Sequence, residues 1–369
     1  MPQIQKVIGL MSGTSLDGID AALIETDGEA FARPGPALTI AYSAQTRALL
    51  RAAIDDAPAA IEGGPLPHSI REAESLTSEA HARAVTALLD KAELQPRDVG
   101  LIGFHGQTIL HRPARRQTWQ IGDGRLLARL TGIDVVNDFR SADVAAGGQG
   151  APLMPLYHAA LAGESSLPMP IVAVNIGGVS NVTYISGETV LAFDTGPGNA
   201  PIDDWMQRHT GRPVDEGGSL ARSGHVDEKA LVTMLAHPFF DRLPPKSLDR
   251  QDFGMEAVEG LGSADGAATL AAFTAAAIAR AREHFPAPAA TWIVCGGGRH
   301  NDFLMERLRA LVGARVCKSE EAGWDGDALE AQGFAYLATR SVKSLPLSLP
   351  STTGVPAPMT GGVLHKALR

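Results

Sequence analysis

Apolar residues fall in short runs along this chain, and the runs follow one order that occurs twice. Residues 7–10, 21–26 and 38–43 are short, mostly apolar segments divided by polar or glycine-bearing turns, and they read as strands. Helical spacing then takes over. Residues 46–56 are amphipathic, and 70–91 repeat Ala73, Leu76, Ala80, Ala84 and Leu88 along one face. A strand over 99–104, a helix over 124–130 and a strand over 133–136 complete a βββαβαβ order. The second half begins again with strands over 171–175, 181–185 and 190–193. Helices follow over 200–209 and 265–285, then a strand over 292–295, a helix over 302–311, a strand over 315–317 and a helix over 328–342. Such an internal repeat predicts an α/β protein of two ribonuclease-H-like lobes, of the actin-like ATPase type, facing across an interlobe cleft.

A chain of 369 residues is long for a single core, which agrees with two domains. The expected division is 1–139 plus 345–369 for the first lobe and 140–344 for the second. The tail from Leu345, rich in Pro, Ser, Thr and Gly, is expected to pack back on the first lobe. A net charge of -9 argues against nucleic acid as the main partner. No run is long and apolar enough to span a membrane, and the first ten residues lack the apolar core of a signal peptide, so a cytoplasmic protein is expected. The two cysteines, Cys295 and Cys317, sit in apolar strand-like runs; they read as buried structural thiols and offer no zinc spacing.

Several chemistries are excluded by pattern. There is no GxxxxGK[ST], no GxGxxG after a strand, no GxSxG and no HExxH. What remains is three glycine-rich turns, each after a strand: Gly13 to Gly18, Gly196 to Asn199, and the triple glycine Gly296, Gly297 and Gly298. The first mixes Thr14, Ser15, Leu16 and Asp17, and leads into Ile19 and Asp20; it can offer backbone N–H groups and hydroxyls to phosphate. The second follows Asp194 at a strand tip, a placement suited to phosphate or Mg2+ chemistry and equally to capping the next helix. The triple glycine lets an adenosine approach the backbone, having no Cβ in the way. Together the three turns can hold a nucleotide across duplicated lobes.

The segments MSGTSLDG, GFHGQTILHRP, QIGDG, VVNDFRSADVAAGGQGAPLMP, NIGGVSNVT, FDTGPGN, PPKS, CGGG with Asn301, and ALEAQGFAYLA resemble the anhydro-N-acetylmuramic acid kinase family over nearly the whole chain. One departure is that members usually follow PPKS with Thr-Gly-Arg-Glu, where this chain has Leu248-Asp249-Arg250-Gln251, which is expected to alter a loop near the cleft. The resemblance implies an ATP- and Mg2+-dependent sugar kinase of the kinase–chaperone–actin superfamily. Such an enzyme opens 1,6-anhydro-N-acetylmuramic acid with water and phosphorylates the released O6, in peptidoglycan recycling. It implies Asp194 as the base for the water and Glu330 as a second carboxylate. Arg140 is expected on the lactyl carboxylate, and His105, Gln107 and Gln120 along the sugar. The implied nucleotide residues are Gly13, Thr14, Ser15, Leu16, Asp17, Gly18, Ile19, Asp20, Asn175, Gly177, Gly178, Gly196, Gly198, Gly296, Gly297, Gly298 and Asn301, with Asp17 and Asp20 holding Mg2+ through water. A homodimer is expected. Two alternatives stand beside this reading: a superfamily kinase for another sugar or small acid, and an actin- or chaperone-like ATP switch.

Overall fold

A computed structural model describes residues 3–248 and 252–367. Of the departure after PPKS, residues 249–251 lie outside the described residues. The chain forms two compact units, Met1–Glu164 with Ala328–Arg369, and Ser165–Asp327.

In the first unit, β1 (Gln5–Ser12), β2 (Gly18–Thr26) and β3 (Ala32–Ala41) form an antiparallel meander, and β4 (Leu101–Arg112) and β6 (Val135–Asn137) join it in parallel on the other side of β1. Two strands lie outside the sequence expectation. β5 (Gln117–Ile121) turns back antiparallel on β4, and Val363–His365 forms an antiparallel edge strand on β6. In the second unit β7 (Ile171–Ile176), β8 (Val179–Ser186) and β9 (Thr189–Pro197) repeat the meander, and β10 (Thr291–Cys295) and β11 (Arg315–Lys318) repeat the parallel pair. The order 3-2-1-4-5 therefore occurs in both units, which is the ribonuclease-H-like topology read from the repeat.

Burial on both faces explains why the central strands read as unbroken apolar runs. Val7, Ile8 and Leu10 of β1 are fully buried, as are Ile171, Val172 and Val174 of β7. In the second unit the alanine-rich helix Ser263–Arg280 is nearly all core, and Gly266 there leaves room for the Trp205 ring. Cys295 and Cys317 are free and buried. Among the described residues no helix is long and apolar enough to cross a membrane.

The helix Leu329–Val342 belongs to the first unit, not the second. The reason is a pair of glycines. Gly9 of β1 and Gly103 of β4 are register partners, and a Cβ on either would strike backbone of that helix, at the carbonyls of Ala331 and Phe334 respectively. Likewise residues 140–164 stay with the first unit. The Asp143 carboxylate accepts from Thr353 Oγ1 (2.6 Å) and from Ser348, and the Gln149 N–H donates to Thr353 O (2.7 Å). The units thus divide at 164/165 and 327/328 instead of 139/140 and 344/345, and Arg140 and Glu330 fall in the first. Gly103→Ala must lift the helix from the sheet. Overpacking of this kind costs about 1–3 kcal/mol, so thermal unfolding should show a Tm lower by roughly 3–10 °C. An unchanged Tm would mean the close approach carries no stability.

Candidate active site

The turn after β1 is shaped by its own backbone and by one buried amide. Leu16 sits at φ 59°, in the left-handed region, and its N–H donates to Gly13 O (3.2 Å). Thr14, Ser15 and Asp17 are exposed, while the side chains of Leu16 and Ile19 are buried and belong to the core. Gly18 is needed for close packing, since a Cβ there would meet the carbonyl of Ile40. Asp20 accepts from Thr39 Oγ1 (2.6 Å). Gln107 is fully buried: its Oε1 accepts from Ser12 Oγ (2.5 Å) and its Nε2 donates to Gly13 O (3.1 Å). Its amide therefore braces the phosphate-type turn from inside the protein. Gln120 donates to Thr108 Oγ1 (3.2 Å) and Thr118 Oγ1 (2.9 Å), and its buried Oε1 has no partner among the described residues.

His105, Arg140 and Glu330 converge in the first unit. The register of β1 and β4 shifts between Leu10 and Ser12, so β4 bulges at His105–Gly106, with Gly106 at φ 74°. Bulges re-aim side chains. His105 donates from Nδ1 to Gly106 O (2.8 Å), which leaves Nε2 as the acceptor for Arg140 Nε (3.0 Å). Burial, and then the Arg140 charge, hold the His105 pKa well below its ordinary value, so it stays neutral, as an acceptor must. Arg140 Nη1 donates to Gly150 O (2.6 Å), and the Gly150 N–H donates to Asp143 Oδ1 (2.6 Å). Phe334 packs under His105 (4.5 Å between ring centroids) and below the guanidinium (6.0 Å). Arg140 is thus fixed on two sides, and among the described residues its Nη2 has no hydrogen-bond partner. Burial lowers its pKa to about 10, opposed by Glu330 and Asp143, so it remains a cation at neutral pH. Glu330 stands in the first turn of the helix on the Gly9–Gly103 floor, and its side chain reaches solvent from within a deep surround of protein. That surround desolvates the carboxyl and raises its pKa, countered by Arg140 and reinforced by Asp20.

In the second unit Asp194 lies at another bulge, where the β8–β9 register shifts between Ser180 and Asn181. The end of PPKS and the residue after it grip it from two directions: the Asp194 N–H donates to Lys246 O (2.9 Å), and the Leu248 N–H donates to Asp194 Oδ2 (2.8 Å). Oδ1 has no partner among the described residues. Asp194 does not cap the following helix, since Asn199 holds the N-cap position. Desolvation raises its pKa from 3.8 to about 7, against the lowering effect of the Leu248 N–H. A half-buried carboxylate with one oxygen held and the other unpartnered is suited to taking a proton near neutral pH.

The glycine turns of this unit come together. The Gly198 N–H donates to Gly178 O (2.9 Å), and the Asn199 N–H donates to Gly177 O (2.7 Å). A Cβ on Gly198 would meet Gly177 O; one on Gly296 would meet Asn175 Oδ1 and Ile176. Gly196, at φ 150°, packs against Ala277. The triple glycine is not uniform. Gly298 is buried, and a Cβ there would strike the Ile176 side chain. Gly297 is exposed, at the start of the short turn Gly297–His300, and a Cβ on it would make only ordinary contact with Asn199 Nδ2 (3.5 Å). The protein's own packing thus requires glycine at Gly296 and Gly298 but not at Gly297, where it leaves room for a side chain. Gly297→Ala is expected to leave Tm within about 1 °C of wild type, since the site is exposed and unclashed; a larger fall would mean the turn needs glycine for its own fold.

Asn301 has an internal task as well. It is buried, and its Oδ1 accepts from Leu304 N (3.0 Å), capping the helix Asp302–Val312. Two groups that the sequence did not flag support these residues: the buried Arg299 and the Ser12–Tyr42 pair (2.8 Å). Arg299 binds Glu320 (2.7 Å), Asp327 (2.8 Å) and Gly296 O (3.0 Å), tying down the triple-glycine turn. Only a signal for tertiary partners could have found them.

A family model described as anhydro-N-acetylmuramic acid kinase matches residues 5–367. A protein of that name from Rhodospirillum rubrum is 53% identical over 365 residues, covering 98% of this chain and 94% of its own. One from Acidiphilium cryptum is 54% identical over 360 residues, covering 96% of each. Among solved structures, component A of the (R)-2-hydroxyglutaryl-CoA dehydratase of Acidaminococcus fermentans aligns with a TM-score of 0.48 at 12% identity, covering 92% of this chain and 99% of that one.

Proposed function

The chain belongs to the anhydro-N-acetylmuramic acid kinase family, and on that premise we propose how its residues divide one reaction. The enzyme is an ATP-dependent kinase of cell-wall recycling. It converts 1,6-anhydro-N-acetylmuramic acid, water and ATP into N-acetylmuramate 6-phosphate and ADP. Neither alternative, another acceptor or an ATP switch, gains support from the relatives, which share one name across almost the full chain.

The substrate has no free 6-hydroxyl, because O6 is bound to C1. Water must therefore add at C1 as the C1–O6 bond breaks, and O6 must take the γ-phosphoryl group. Asp194 takes the water's proton at Oδ1, while Leu248 holds Oδ2. Glu330 acts as a second carboxylate that orients the water. Arg140 presents its open Nη2 edge to the lactyl carboxylate, and His105 keeps the guanidinium in that pose. Gln120 offers the Oε1 that has no internal partner. The Gly13–Asp20 turn and the joined glycine turns around Gly177, Gly198 and Gly296 receive the nucleotide, with the exposed Gly297 as the open edge of the last of them.

Asp17 is exposed on the phosphate-type turn, and Asp20 accepts from Thr39 a short way along β2. Two carboxylates so placed fit as outer partners of an Mg2+ that arrives on ATP and keeps most of its water. The ion would neutralise charge on the transferred phosphoryl group. A homodimer in the cytoplasm completes the reading.

The observation that carries the proposal is the Asp194 carboxylate, gripped at one oxygen and raised toward neutral pH. Turnover in 18O-labelled water tests it: label is expected at C1 of the product and absent from the transferred phosphate. Label on phosphate without ring opening would mean simple ATP hydrolysis and would sink the mechanism.

A further inference from the structure

The second unit contains a cavity that the reaction above does not use. It is small and partly open to solvent, with room for about one water-sized group, and Phe193, Phe240, Lys246, Arg280, Glu283 and His284 are among its walls. Lys246 is only 6 % exposed. Its ammonium makes two long hydrogen bonds, to Phe239 O (3.3 Å) and Phe240 O (3.4 Å). Among the described residues its third N–H has no partner, and no carboxylate lies within ion-pair distance of it. The rings of Phe239 and Phe193 lie 4.7 and 5.9 Å away. Their faces favour a cation but leave the donor unmet. Arg280 adds a second charge. It donates to Leu235 O (3.1 Å) and pairs loosely with the exposed Glu283 (3.5 Å), and its Nη2 stays open among the described residues.

Lys246 is buried and Arg280 half-buried; Glu283 pairs only loosely with the arginine and the exposed Asp241 makes no ion pair with the lysine, so the buried ammonium lacks a close counter-charge, which is costly unless one joins it. The walls limit what that can be. Phe193, Phe240, Ala277 and Ala281 offer no donors, the Thr195 hydroxyl is engaged with Ser180, and His284 adds at most one ring N–H. Phosphate would bring several oxygens to a site with few N–H groups, leaving them unsatisfied. A spherical anion accepts from an ammonium, a guanidinium and aromatic edges without that demand. We infer that this cavity is a binding site for a small monovalent anion of halide size, held by Lys246 and Arg280. Burial and the neighbouring Arg280 and Arg242 charges draw the Lys246 pKa down, and a bound anion would restore its charge. The site also bears on the reaction, because the backbone of Lys246–Leu248 is what grips Asp194.

Thermal unfolding of the full chain with sodium bromide, against sodium gluconate at equal ionic strength, tests this without assuming any activity. Bromide should give a saturable stabilisation, roughly 3 °C at ten times its Kd. Lys246→Met should remove that component, and Arg280→Gln should weaken it several-fold if the lysine variant folds poorly. Bromide-soaked crystals should show anomalous density beside Nζ. A bromide response that survives in both variants, no saturable response in the parent, or an equal response to phosphate would each overturn the inference.

Discussion

Replacing Asp194 by asparagine is expected to lower kcat about 10³-fold, within the range attributed to a positioned general base, while ATP affinity changes little. Asparagine keeps an acceptor for the Leu248 N–H and removes only the ability to take a proton. The wild-type kcat should fall on the acid side with an apparent pKa near 7, since the base must be ionised and its pKa is raised to about 7. The stability sign runs the other way. A carboxyl whose folded pKa exceeds its ordinary 3.8 prefers its neutral form in the folded protein. Ionisation therefore erodes stability as pH rises from about 4 to about 7, and the loss is complete above that window. Asp194→Asn has no such loss, so at pH 8 it should unfold at or above the wild-type temperature. Loss of activity with gained stability marks a functional group held in an unfavourable setting. A variant of near-normal turnover, or one that is inactive because it is unfolded, would remove Asp194 from the role of base.

The repeat was legible because burial on both faces leaves an unambiguous mark: runs such as 7–10 and 171–174 admit little besides a central strand. β5 was not, because Gln117, Thr118, Trp119 and Gln120 are half-buried and lack alternation; β4 pairing alone makes that segment a strand. The domain division was missed for a related reason. Glu330 and Arg140 follow the second copy of the pattern or the seam in sequence, but Gly9, Gly103 and Asp143 bind their segments to the first sheet. The glycines themselves were legible as glycines; that two of them were a floor for a helix was not. Nor could a run of three say that Gly298 is packed on Ile176 while Gly297 faces outward. The same gap separates residue type from role at Gln107 and Asn301. Both stand in motifs of the family, and both side chains are used internally, one bracing a turn and the other capping a helix. Asp194, read from the sequence at a strand tip, lies instead within β9, which continues to Pro197, and it is the β8–β9 bulge that sets its position beside the glycine turn.

Arg140 offers the second large effect, and its test must separate recognition from scaffolding. The guanidinium bonds to His105 and to Gly150 O, so any replacement also disturbs the loop that Asp143 braces. Arg140→Met should lower kcat/KM for the anhydro-sugar about 10²-fold, chiefly through KM, as expected when a charge-assisted pair is lost. Arg140→Lys should recover little, because an ammonium cannot match the planar fork and reaches His105 differently. The decisive comparison uses 1,6-anhydro-N-acetylglucosamine, which lacks the lactyl carboxylate. Wild type should use it about as poorly as Arg140→Met uses the natural sugar, and the variant should lose little more on it. If Arg140→Met instead harms both sugars equally, the guanidinium is a loop brace and the carboxylate is read elsewhere. Because its pKa remains near 10, the recognition should hold across neutral pH. Any pH dependence of KM below pH 8 would then have to come from another group, and Glu330, raised by desolvation and opposed by this same arginine, is the one the geometry puts beside it.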